Sequence, residues 1–72
     1  MGLMNIEYIT IPEDIVEEAA DICSDDPKNS FFKIWNAGQA YKSAGMTPIY
    51  LLDQITLQLI VVAKETFLKR LH

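Results

Sequence analysis

The chain has 72 residues, half of them apolar, and a formal charge of −4; that length allows one small domain spanning 1–72, and its 19 Ile, Leu and Val residues argue against disorder. A single cysteine, Cys23, excludes the disulfide-rich secreted scaffolds, and no stretch approaches the roughly 18 uninterrupted apolar residues of a membrane span. Residues 1–27 hold Glu7, Glu13, Asp14, Glu17, Glu18, Asp21, Asp25 and Asp26 with no Lys or Arg, while 28–72 carry a net +4, a layout unsuited to displacing counterions from nucleic acid.

Ile6, Tyr8, Ile9 and Ile11, ended by Pro12, predict an N-terminal strand. Met1–Leu3 are read as a remnant ahead of a start at Met4. Thr10 with Glu13 three residues on matches a capping box, and Pro12 falls in the first turn of the helix that follows. Along that helix Ile15, Ala19 and Ile22, with Ile11, mark the expected buried stripe, and Glu13, Glu17 and Asp21 the solvent stripe. Ser24-Asp25-Asp26-Pro27 separates it from a second helix, expected from about Pro27 to Ala44 with Asp26 as N-cap. Phe31, Ile34 and Tyr41 share a face of this helix, Gly38 within it either weakens the helix or marks a close contact, and Gly45 is placed to end it in the left-handed conformation.

Residues 46–72 admit two readings. As a helix, Thr47 caps and Pro48 starts it. As a hairpin, Ile49–Leu52 and Leu57–Val62 pair across a turn near Asp53–Thr56. Five of the eight residues from Ile55 to Val62 are β-branched and Ile55–Leu59 alternates, although the turn holds neither Gly nor Asn. The hairpin is preferred, followed by a short helix from about Lys64 to Leu71. The expected fold is therefore α+β: an N-terminal strand, two helices, a C-terminal β-hairpin and a short final helix. An all-α three-helix bundle is the alternative.

Catalytic chemistry has little to stand on. The one histidine, His72, is the last residue in the chain, so Cys23 and the serines lack a placed base. Metal-ligand spacing and a glycine-rich phosphate loop are missing as well. The expectation is no enzyme, no cofactor and no metal site, with Cys23 filling a small apolar site. Two features stand out instead. Glu13, Asp14, Glu17, Glu18 and Asp21 give the first helix an acidic face. It suits ordinary solvation, docking onto a basic partner surface (mimicry of a phosphate backbone included), or pairing with Lys64, Lys69 and Arg70. Phe31, Phe32 and Trp35 crowd more of the second helix than one buried stripe can hold, which makes them the candidate centre of a self-association patch.

Ile9-Thr10-Ile11-Pro12-Glu13-Asp14-Ile15-Val16-Glu17-Glu18-Ala19 resembles the opening of ribbon-helix-helix repressors and antitoxins, over roughly residues 4–44. The resemblance implies a dimeric DNA-binding regulator whose alternate strand residues contact bases. Here the strand carries Asn5, Glu7 and Thr10 without Lys or Arg, and Asp25-Asp26-Pro27-Lys28 stands where that family has a Gly between the helices. The preferred expectation is a cytoplasmic, non-catalytic protein–protein interaction module, homodimeric, with an unknown protein partner and neither nucleic acid nor membrane. Small accessory or regulatory proteins of phages and other mobile elements fit that description.

Overall fold

β2 (Pro48–Asp53) is the central strand of a three-stranded antiparallel sheet, between β1 (Tyr8–Ile11) and β3 (Leu59–Ala63). The computed structural model describes residues 7–70, of Leu68, Lys69 and Arg70 the backbone alone. Helices α1 (Glu13–Ile22) and α2 (Ser30–Ser43) lie between β1 and β2, and α3 (Lys64–Arg70) follows β3 directly. The fold is α+β, and the β-branched C-terminal segment is a hairpin rather than part of a bundle. The expectations for Met1–Leu3, Asn5, Ile6, Leu71 and His72 fall outside the described residues.

Both ladders keep one unbroken register. Tyr8 pairs with Asp53 through to Ile11 with Tyr50, and Pro48 with Ala63 through to Leu52 with Leu59. Because side chains alternate along a strand, Ile9, Ile11, Tyr50, Leu52, Leu59, Val61 and Ala63 share one sheet face, and Tyr8, Thr10, Ile49, Leu51, Ile60 and Val62 the other. The first face carries the core: Val16 of α1, Ile34 of α2 and Tyr50 of β2 are buried together, with Ile11, Phe31, Trp35, Leu59 and Val61 packed around them. Removing Val16 from water completely contributes about 2 kcal/mol.

Four local expectations need correcting. Thr10 does not cap α1; it lies within β1 at the register position opposite Leu51, and Pro12 is the N-cap without any side-chain cap. The Pro12 carbonyl accepts from the amides of Ile15 and Val16 instead. The buried stripe of α1 is Val16 and Ala20, whereas Ile15 and Ile22 are 48% and 77% exposed. One residue separates β1 from α1, so the ladder fixes the rotation of the helix about its axis before hydrophobicity can choose it. α2 starts at Ser30 rather than Pro27, since the Asn29 side chain accepts from the Phe31 amide while Asp26 stabilises the preceding turn through the Lys28 amide. Finally, β3 begins at Leu59: Leu57, with φ +61°, belongs to the turn.

That turn works without Gly or Asn. Asp53 Oδ1 accepts from the amides of Ile55 and Thr56, the Asp53 carbonyl from Leu57, and the Gln58 carbonyl from the Asp53 amide. The carboxylate thus performs the local hydrogen bonding for which Asx residues favour turns. Gly45, at φ +83°, ends α2 as expected. Gly38 is buried against Tyr50, whose ring a Cβ at this position would have to displace.

Candidate interaction surfaces

All five acidic residues singled out on α1 (Glu13, Asp14, Glu17, Glu18 and Asp21) are exposed. At about 100° per residue, Val16 and Ala20 point inward, Glu13 borders α2, and Glu17, Asp21, Asp14 and Glu18 follow one another round the outer surface. Next to Glu18 come Ile22, Ile15 and Ala19. α1 therefore presents an apolar strip, Ile15–Ala19–Ile22, directly beside a carboxylate strip.

Among the described residues the cation that reaches α1 is Lys42 of α2, which pairs with Glu13. Its ammonium also stands 6.0 Å from the centre of the Trp35 ring, within cation–π range. The Glu13 hydrogen bond holds the Lys42 pKa above its usual value. Both partners are nearly half exposed, so the pair contributes little to stability.

Phe31 and Trp35, two of the three aromatics expected at the centre of a self-association patch, are half-buried and pack on the intramolecular core; Phe32 is half-buried beside them. Trp35 stacks on Tyr50, with ring centres 6.2 Å apart and 25° between planes. Burial, and then the Glu13 carboxylate, push the Tyr50 phenol up, with Lys42 and the neighbouring Gln39 amide opposing. The Gln39 and Tyr50 groups do not reach hydrogen-bond geometry. Tyr50 Oη and Gln39 Nε2 are both buried without a partner among the described residues.

α3 is tied to the start of β2. The Lys64 amide donates to the Thr47 carbonyl, and the Thr47 amide and hydroxyl donate to the two carboxylate oxygens of Glu65. The amide of Thr47 holds the Glu65 carboxyl below its usual range; those of Thr56 and Ile55 do the same for Asp53. From there α3 brings Phe67 over the second sheet face, where it closes a concavity of about 390 Å³ with Tyr8, Thr10, Ile49, Leu51, Ile60 and Val62. A second hollow, of about 340 Å³, opens beside the end of β3 between Tyr41, Met46, Thr66 and Phe67.

Cys23 is a free thiol, half-buried at the C-cap of α1. Among the same residues no group of His, Cys, Asp and Glu is placed to hold a metal, and no helix is long and apolar enough to cross a membrane. Sequence reasoning missed Ile15 and Ile22 as surface residues; the one-residue connection at Pro12 was the available signal. It also passed over the edge of β3, where a run of five apolar residues carries no charge. No protein-family model, curated protein or solved structure matches this chain.

Proposed function

We propose that this protein is a non-catalytic interaction module of a reducing, cytoplasmic compartment, which docks through the outer surface of α1 onto another protein. The supporting observation is that Ile15 and Ile22, seven residues apart on one helix, remain exposed although the helix has an inward face of its own. Two turns of helix with apolar anchors at that spacing suit a hydrophobic groove. Asp14, Glu18 and Asp21 border the anchors, so the groove that fits has Lys or Arg along its rim. The apolar contact supplies most of the affinity, and the charges supply orientation and association rate.

The test is affinity capture from the native host with mass spectrometry, using three baits. The parent chain should retain a partner; Ile15→Ser with Ile22→Ser should lose it, and Glu18→Lys with Asp21→Lys should weaken it and reduce its salt dependence. All substituted positions are exposed, so unchanged circular dichroism is expected for each bait. Equal retention by all three would refute docking through α1. Salt-sensitive binding to random DNA in a gel shift would favour a nucleic-acid regulator instead.

A further inference from the structure

The two edges of the sheet are not alike. β1 is four residues long, bounded by Glu7 and Pro12, both common guards of a sheet edge. β3, Leu59-Ile60-Val61-Val62-Ala63, has no charge, no proline and no break in register. Bonding alternates along an antiparallel pair. The amide of Lys64 reaches Thr47 and the carbonyl of Gln58 serves Asp53, so Gln58, Ile60, Val62 and Lys64 face β2. Leu59 and Val61 turn their N–H and C=O groups outward, and those groups have no partner among the described residues; the Ala63 carbonyl stands at the start of α3. α2 packs on the first sheet face, against β3 as well as β2, and α3 leaves across the second; Leu59 and Val61 remain half-exposed, while Ala63 at the end of the strand is buried.

We propose that β3 pairs with β3 of a second copy of this chain, antiparallel about a two-fold axis at Val61, giving a continuous six-stranded sheet. That register opposes Val61 to Val61 and Leu59 to Ala63, and it engages the outward N–H and C=O of Val61 in both strands. The occupant follows from self-complementarity. A large residue meets a small one at each end, Ile60 meets Val62 on the other face, and Gln58 stands opposite Lys64, so no like charges face each other across the seam. The same register leads the second copy's Leu59, with the 73%-exposed Leu57 two residues before it, towards the hollow between Tyr41, Met46, Thr66 and Phe67. The acidic helix packs with α2 and β2, which keeps its charge away from this seam. This inference is independent of docking through α1.

The experiment uses the full chain in sedimentation equilibrium, together with a synthetic version N-methylated at the Val61 amide. The methyl group removes the outward donor and blocks the seam while leaving the side chain and the β2 ladder in place. The parent should approach twice 8.2 kDa with rising concentration, and the N-methyl chain should dimerise at least about tenfold more weakly, at unchanged circular dichroism. In a mixed labelled and unlabelled sample of the parent, isotope-filtered NOEs should join Ile60 of one chain to Val62 of the other. A parent that stays monomeric at millimolar concentration overturns the inference. So does a dimer whose intermolecular NOEs centre on Phe31, Phe32 and Trp35, or on α1. Should the N-methyl chain fail to fold, the parent's NOEs alone decide the result.

Discussion

Replacing Gly38 by Ala tests the packing of α2 on β2 most directly. Helix propensity alone favours Ala over Gly by about 1 kcal/mol. A Cβ at position 38, however, would lie 2.1 Å from Tyr50 Oη, 2.8 Å from Cζ and 2.9 Å from Cε1, against about 3.5–4 Å for ordinary contact. The Tyr50 ring has little room to withdraw, being 2% exposed and stacked on Trp35. Overpacking of this kind costs about 1–3 kcal/mol. The net expectation is a loss of about 0–2 kcal/mol, at its upper end a large share of the roughly 4–11 kcal/mol available to a chain this size. Tyr50→Phe removes the nearest atom, and with it a buried hydroxyl that has no partner. Alone it should stay within about 0.5 kcal/mol of the parent or improve on it. In its background Gly38→Ala should cost less than about 1 kcal/mol, leaving a coupling of about 1 kcal/mol in the double-mutant cycle. Urea unfolding followed in parallel by circular dichroism and Trp35 fluorescence measures all four corners. If Gly38→Ala stabilises by about 1 kcal/mol, equally in the parent and in the Tyr50→Phe background, the close-contact argument is refuted.

In the monomer, at low micromolar concentration, Leu57→Asn should stabilise by about 0.5–1 kcal/mol, because Leu57 holds a left-handed conformation while exposing most of its surface; a thermal melt there should rise by about 2–8 °C, and a fall would refute the strain argument. Asp53 and Glu65 are held below their usual pKa by amide donors, so the unfolded chain protonates them first, near pH 4. Their contribution is complete above about pH 5 and is lost as pH falls through the depressed folded values. Asp53→Asn with Glu65→Gln should accordingly flatten the acid limb of urea midpoints measured down to about pH 2.5, and an unchanged slope would contradict the assignment. Glu17→Gln with Asp21→Asn should leave stability unchanged or slightly higher, since both carboxylates are exposed among like charges; a loss above about 1 kcal/mol in urea unfolding would mean that they are paired.

Local chemistry in the sequence determined most of the element order. Pro12 after a β-branched run, Gly45 after an apolar helix, and the β-branching of Ile55–Val62 each act within a few residues, so strand, helix, hairpin and last helix are legible without the fold. At Gly38 the sequence left a weakened helix and a close contact as alternatives, because Tyr50, which decides for the contact, lies twelve residues away on a different element. Only tertiary structure decided which side of α1 is buried. Amphipathic spacing ranks Ile15–Ala19–Ile22 first, but a ladder that ends one residue before the helix sets its rotation, and Val16 with Ala20 turn inward. The same holds for the edges of the sheet. A charge-free strand reads as buried until its neighbours are known, and pairing order alone places β2 in the centre and leaves one side of β3 without a neighbouring strand among the described residues.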